Sequence, residues 1–287
     1  MTTGEWLEQW YQVYVEDSDL APSTQAMYRR SINALPAWLL SIPLEQITAM
    51  DIYRHVKTRA KVQPRAAQLD KVTLSRALKL AAKLGLRDAL CIDRDTCPTP
   101  KHTARSVVVL SRDEARRYID AATASPCAPL LLLCLCGLRR GEALGVRWCD
   151  IDLVTGVLHV RGQRQRSAGA YVWRKLKTAK SERMFALPPQ LLQIIRTWPR
   201  KLRSPYLCDV VPERLRSEHQ RAIAAAGLPP VTLHGLRHTM ATLAASQVPM
   251  KELQIAMGHS SYQLTADLYA DHLSPLSDVQ TVVWSGF

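Results

Sequence analysis

The sequence predicts a mainly α-helical chain with a small antiparallel β-sheet, arranged as an N-terminal helical domain and a C-terminal mixed α+β domain. Three observations carry this. The first hundred residues show helical apolar spacing and helix-start signals. A polar, proline-bearing stretch without periodicity follows, "CIDRDTCPTPKHTARS". Beyond it, helical segments flank two alternating runs joined by a Ser/Gly turn. The boundaries read as 1–92 for the helical domain, 93–106 for a linker, and 107–287 for the mixed domain with its C-terminal tail. A chain of 287 residues, 47% of them hydrophobic, has room for two cores of ordinary size.

In the first domain, "PSTQAMYRRSINAL" opens with a proline and a hydroxyl residue. It carries Met27, Tyr28, Ile32 and Leu35 at helical spacing, and Pro36 ends it. "TAMDIYRHVKTRA" places Thr48 and Asp51 at the spacing of a capping box. "AAQLDKVTLSRALKLAAKLG" is a third amphipathic helix, with Gly85 suited to its C-cap.

The second domain starts on another capping box, Ser111 to Glu114. Leu130 to Leu135 is apolar on every face and reads as a buried helix, interrupted by Gly137, with Arg139 and Arg140 at the break. "GVLHVRGQR" and "AYVWRKLK" alternate like strands around a turn at Ser167 to Gly169, and "RMFALP" reads as a third short strand. A helix running from Leu236 to Met257 ends at Gly258 and His259, and another begins near Gln263.

The formal net charge is +13 and the pI about 9.6. This favours a polyanionic partner, nucleic acid first. Two segments concentrate the charge. From Arg54 to Arg87 there are ten Lys or Arg and one acid, Asp70; from Arg161 to Arg183 there are eight, with Glu182 the only acid. Both read as phosphate-contacting surfaces. The DNA-facing set is Arg54, Lys57, Arg59, Lys71, Arg76, Lys79 and Lys83 in the first domain, and Arg164, Arg174 and Lys175 on the ribbon. The longest apolar run, Pro129 to Leu138, is far shorter than the roughly 20 residues of a spanning helix. No membrane partner is expected. The acidic, aromatic N-terminus lacks signal-peptide character, so the expected compartment is the cytoplasm. Seven cysteines without a CxxC pair read as small apolar fillers, with no disulfide framework and no zinc site.

Three clusters could carry chemistry. In "CGLRRGEAL", Glu142 sits one helical turn after Arg139 and could orient it through a charge-assisted pair; an exposed Arg–Glu pair is the plain alternative. In "KLKTAKSER", Lys177 leaves a strand for a polar turn, where it could reach an anion or be an ordinary surface lysine. In "TLHGLRHTMATL", His234, Arg237 and His238 share one helical sector of about 100°. Thr232 is suited to the N-cap, and the first turns of a helix favour an anion. Core histidines bonded to backbone are the alternative there. A metal is disfavoured, since no carboxylate or cysteine accompanies the histidines at ligand spacing.

Taken in order, these segments resemble the tyrosine recombinases, the phage integrase family. "GLRRGEAL" resembles the family's first arginine box, and "KLKTAKSERMFALP" its β-hairpin lysine. "LHGLRHTMATL" resembles its His-x-x-Arg box. "MGHSS" followed by "TADLYADH" resembles its Gly-His and nucleophile boxes. The resemblance implies an active site of Arg139, Lys177, His234, Arg237, His259 and Tyr269, with Glu142 and His238 supporting it. Tyr269 would attack a DNA phosphate, giving a 3′-phosphotyrosyl link and a free 5′-hydroxyl. Tyr262 lies nearer to His259 but in a turn. His234 would accept the tyrosine proton, His259 would bond a phosphate oxygen, and Lys177 would protonate the leaving 5′ oxygen. The chemistry suits the residues: two planar guanidinium forks match the non-bridging oxygens, and a phenol with a pKa near 10 needs a base or a strong field. No cofactor and no metal are implied.

The same resemblance implies an N-terminal core-binding domain that clamps DNA and a catalytic domain of the tyrosine recombinase type. The expected partners are a double-stranded DNA recombination site and, on synapsed DNA, a homotetramer of a protein that is a monomer or weak dimer when free. An accessory DNA-bending protein is a further partner this reading admits. The expected setting is the cytoplasm of a bacterial or phage-infected cell, nucleoid-associated when DNA-bound. Integration or excision of a mobile element or phage is the expected activity; the alternative is a non-catalytic DNA-binding regulator that keeps the fold. Three departures stand out. Gln247 occupies a turn where the family usually has glycine, His272 follows Tyr269 by three positions rather than two, and the chain starts almost directly at the core-binding helices. The last favours a simple integrase without an arm-binding domain. The apolar tail, with Val279, Val282, Val283, Trp284 and Phe287, is expected to dock on a neighbouring protomer or on its own domain.

Overall fold

The computed structural model describes residues 1–90, 92–101, 107–167, 169–176, 181–245 and 248–258. The chain divides into two compact units, Met1–Arg105 and Ser106–Phe287.

The first unit is helical: α1 (Thr3–Tyr11), α2 (Pro22–Asn33), α3 (Ala37–Leu40), α4 (Ala49–Ala60) and α5 (Pro64–Lys83). Local chemistry sets their ends. Pro22 and Pro64 occupy first-turn positions, where a missing N–H costs nothing. Thr48 and Asp51 close their capping box, at 3.3 Å and 3.0 Å. Gly85 takes a positive φ of 71° just past α5 and lets the chain turn back. Trp6, Leu7, Tyr28, Ile52, Leu74 and Leu78 pack one core, each buried side chain of this kind contributing about 1.5–3 kcal/mol. The Trp6 indole donates to the Ala77 carbonyl at 3.0 Å.

Asp70, the one acid of the first basic segment, is buried. Its Oδ1 accepts from the Ser31 hydroxyl at 2.7 Å; its Oδ2 lies 3.0 Å from His55 Nε2 and 2.8 Å from Arg59 Nε. A carboxylate in a core needs such partners. Residues 93–100, which composition reads as linker, begin by lying against α5. The Lys71 ammonium donates to the carbonyls of Asp93 and Cys97, and Gln68 donates to the Pro100 carbonyl at 2.7 Å.

The second unit runs α6 (Arg112–Thr123), α7 (Ala128–Leu135), α8 (Arg140–Gly145), β1 (Ile151–Asp152), β2 (Val157–Val160), β3 (Gly162–Ser167), β4 (Ala170–Lys175), β5 (Arg183–Ala186), α9 (Pro189–Arg196), α10 (Pro212–Ala225), α11 (Leu233–Ala245) and α12 (Met250–Met257). α7 is buried from Ala128 to Cys134 and forms the centre of the core. Two expectations are corrected. "GVLHVRGQR" is not one strand: among the described residues β2 pairs with β1 and β5 in a three-stranded antiparallel sheet, while β3 pairs with β4 in a separate hairpin. Gly162, first residue of β3, has no side chain, and the Trp173 ring lies across it. The helix from Leu236 to Met257 is in fact two, α11 and α12. Pro249 caps the second, and a proline has no N–H to continue the first. Among the described residues no helix is long and apolar enough to cross a membrane.

Candidate active site

The site is built where α8 meets the β3–β4 hairpin. Gly141 and Gly145 lie one turn apart and both face β3. A Cβ on Gly145 would come within 2.7 Å of the Gln163 Cα, and one on Gly141 within 3.2 Å of the Arg164 carbonyl oxygen. At Gly145 only hydrogen permits the approach, and at Gly141 a methyl group would be tight against the strand. The Trp173 indole locks it by donating to the Gly145 carbonyl at 3.1 Å. The helix that carries Glu142 is thereby pressed onto the ribbon.

Arg139 caps α8 in an unusual way. Its backbone N–H donates to Glu142 Oε2 at 2.9 Å and its Nη1 to Oε1 at 2.8 Å. Its Nη2 donates to the Gly258 carbonyl at 3.2 Å. Glu142 is 1% exposed, so this is no surface pair. A second guanidinium holds it from the other side: Arg183 Nη2 lies 2.9 Å from Oε2. A third, Arg237 Nη1, lies 4.0 Å away. Burial pushes the Glu142 carboxyl up, but the charge and hydrogen bond of Arg183, then the bonds from Arg139, outweigh it and hold the carboxyl below its ordinary range.

Arg237 is almost completely buried. Its Nη1 donates to the Gly137 carbonyl at 2.6 Å and its Nη2 to the Met257 carbonyl. These carbonyls end α7 and α12, where helix dipoles favour a cation. Gly137 (φ 98°) and Gly258 (φ 58°) both sit in the left-handed region just past those helices. The two glycines turn their carbonyls toward the two arginines.

The histidines of α11 stack edge to face, ring centroids 4.5 Å apart. His234 keeps part of its ring open to solvent; His238 is buried. Partial burial, then the charges of Arg237 and Arg139, lower the pKa of His234. Those two charges act on it because all three groups converge on one site. Burial, then His234 and Arg237, push His238 down to about 4. Both rings are therefore neutral near pH 7. Thr232 caps the helix as its position suggests, accepting from the Gly235 N–H at 2.9 Å.

The structure thus brings together Arg139, Glu142, His234, Arg237 and His238. Lys177, His259 and Tyr269 lie outside the described residues, as do Tyr262, Gln247, His272 and the apolar tail. Sequence reasoning missed Arg183, which the basic-ribbon reading placed among surface cations. A signal existed: in "RMFALP" a period of two puts Arg183 on the face of Phe185, while Met184 is 68% exposed.

The cations assigned to DNA divide. Arg54, Lys57, Arg76, Lys79, Lys83, Arg174 and Lys175 are exposed. Arg59 and Lys71 are engaged inside the first unit. Arg164 is paired with Asp209 at 2.9 Å and stacks on Tyr206 at 4.3 Å. Arg76 also donates to the Tyr28 hydroxyl.

Residues 109–274 match the phage integrase family, and the chain belongs to it. Among relatives, it is 26% identical over 217 residues to a tyrosine recombinase XerC-like protein of Caldanaerobacter subterraneus, covering 64% of this chain and 55% of that one. It is 28% identical to tyrosine recombinase XerC of Xylella fastidiosa, covering 86% and 85%, and 26% identical to XerD of Proteus mirabilis, covering 91% and 83%. The chain therefore spans about half the length of the first relative and most of the other two. Its fold is similar to that of the Tn1549 transposon integrase solved with a circular intermediate DNA, with a TM-score of 0.82 at 18% identity over the whole of both chains. It is also similar to a lambda integrase dimer bound to a core site, with a TM-score of 0.70 at 23% identity over 93% of this chain and 77% of that one. Kinship places it in the phage integrase family, and its fold is that of these solved integrases.

Proposed function

We propose that the chain is a site-specific recombinase that cuts and rejoins double-stranded DNA through a 3′-phosphotyrosyl intermediate, with Tyr269 as the nucleophile. The observation that carries this reading is the convergence of Arg139 and Arg237 on one buried carboxylate beside a neutral His234, in a chain of the phage integrase family. The Arg139 side chain is 39% exposed, so its guanidinium can meet an arriving phosphodiester. Arg237, fixed by two helix ends, supplies a second positive charge that costs no reorganisation. In the forward step the Tyr269 oxygen bonds to phosphorus as the bond to the 5′ oxygen breaks. The phenol proton goes to His234, the 5′ oxygen takes a proton from Lys177, and His259 bonds a non-bridging oxygen. The phosphotyrosyl link conserves the phosphodiester's energy, so a second strand's 5′-hydroxyl can reverse the step without a nucleotide.

In this reading residues 1–92 form the core-binding domain, 93–106 the linker and 107–287 the catalytic domain. The exposed cations contact DNA phosphates. The working assembly is a homotetramer on synapsed DNA, formed from monomers or weak dimers; a lambda integrase tetramer has been solved on a Holliday junction. Integration or excision of a mobile element, with an accessory DNA-bending protein, and a cytoplasmic, nucleoid-associated setting complete the reading. A nicked suicide substrate carrying the recombination site tests it. A covalent protein–DNA adduct is expected, lost in Tyr269→Phe and kept in Tyr262→Phe; an adduct that persists in Tyr269→Phe removes the assigned nucleophile.

A further inference from the structure

We propose that Arg183 is a positioning residue of the active site, acting through Glu142 on Arg139 and through Ala256 on the turn that ends α12. This rests on the recombinase reading above. Arg183 opens β5 at the register of Val160, and its side chain, 3% exposed, points inward. Its nitrogens divide between two elements. Nη2 donates to Glu142 Oε2 at 2.9 Å, and Nε donates to the Ala256 carbonyl at 2.8 Å. Nη1 lies where a Cβ on Gly258 would meet it at 3.1 Å. One guanidinium therefore joins the strand after the basic hairpin, the buried carboxylate on α8, and the last turn before His259.

Charge gives the arrangement its purpose. Glu142 orients Arg139, but a lone carboxylate there would also neutralise it. A phosphate must find Arg139 still attractive. Arg183 takes up Oε2 and leaves Oε1 to the Arg139 side chain, so one anion steers Arg139 while another cation balances it. Arg183 also carries a positive charge within the cluster that is sealed from solvent, where screening is weak.

The test uses the full-length protein and a nicked suicide substrate, comparing wild type, Arg183→Met, Arg183→Lys and the pair Arg183→Met with Glu142→Gln. Arg183→Met is expected to slow cleavage at saturating DNA by roughly 100-fold, the scale of a misplaced catalytic group. DNA affinity should change by less than about threefold. Arg183→Lys should recover part of the rate. In Glu142→Gln, the further loss from Arg183→Met should shrink to a few-fold, because the partner through which it acts is gone. The acidic limb of the cleavage profile should move to higher pH in Arg183→Met, since Glu142 loses the cation that keeps it ionised. Equal and additive losses in both backgrounds, with an unmoved acidic limb, would overturn the proposal. Failure of wild type to form any adduct would overturn the recombinase reading instead. In that event a 13C titration of the Glu142 carboxyl decides for Arg183: a rise in Arg183→Lys or Arg183→Met supports it, and an unchanged midpoint overturns it.

Discussion

Arg139 wraps its own helix start around Glu142: the backbone N–H reaches one carboxylate oxygen at 2.9 Å and the guanidinium the other at 2.8 Å. The same residue thus caps α8 and is aimed by it. Removing the carboxylate should uncap the helix and leave three guanidinium groups facing one another. Breaking a buried ion pair on one side costs about 3–5 kcal/mol. Glu142→Ala is expected to lose stability of that order in urea unfolding, while Glu142→Gln, which keeps the shape and one acceptor, should lose less and still cleave poorly.

Acid should destabilise the second unit before general carboxylate protonation begins. The unfolded value of a histidine is about 6.5, whereas His238 in the fold lies at about 4. Between these values the unfolded chain binds a proton that the folded chain refuses. Stability therefore falls as pH drops through that window, by on the order of 3 kcal/mol for this residue. Glu142 acts in the same direction lower down: its depressed pKa contributes stability above the ordinary glutamate range that is lost as pH falls through the folded value. Thermal melts between pH 7 and pH 4 should show the decline, and His238→Gln should flatten its upper part. An unchanged slope in that variant would argue against a neutral, buried His238.

Gly145→Ala tests the contact of α8 with the ribbon. The new Cβ would stand 2.7 Å from the Gln163 Cα, against backbone that has no rotamer to yield. Overpacking of this kind costs about 1–3 kcal/mol. Gly169→Ala, at the hairpin turn with nothing within 4 Å, carries only the strain of its φ of 83°. Gly145→Ala should therefore depress cleavage more than Gly169→Ala, since only the former pushes α8, whose start Arg139 caps, away from the hairpin.

The cations of α4 and α5 should behave in two ways. Replacing exposed Arg54, Lys57, Lys79 or Lys83 by Ala is expected to weaken DNA binding across sequences and to reduce the salt slope by about one for each phosphate left without its cation. Arg59 and Lys71 are committed to Asp70 and to the carbonyls of residues 93 and 97. Their substitution should lower the melting temperature first. A salt slope that falls equally for both sets would contradict this division.

Much of the fold was legible because its signals are local. Thr48 with Asp51, Ser111 with Glu114, and the all-apolar stretch of α7 state their structures in a few residues. The breaks were not. Arg161 looks like any strand residue, and only Trp173, on the partner strand of the hairpin, shows why β2 and β3 part at Gly162. Pro249 does mark the start of α12, but the apolar spacing around it favoured one continuous helix. At the site, order along the chain selected Arg139, His234 and Arg237, because a phosphate needs planar donors and a base. Arg183 and Asp70 escaped because a charge counted along a sequence does not disclose which side of a strand or helix it faces. Both turn inward to meet an opposite charge.

We propose that this arginine–carboxylate cluster activates a phosphate for attack by Tyr269. Mass mapping of the covalent complex formed on a nicked suicide substrate tests it most directly. Proteolysis of the trapped complex should yield one nucleotide-bearing peptide, with the nucleotide on Tyr269, and Arg139→Ala or Arg237→Ala should abolish it while DNA binding persists. A nucleotide found on Tyr262 or on another side chain, or full adduct yield from either arginine variant, would contradict the claim.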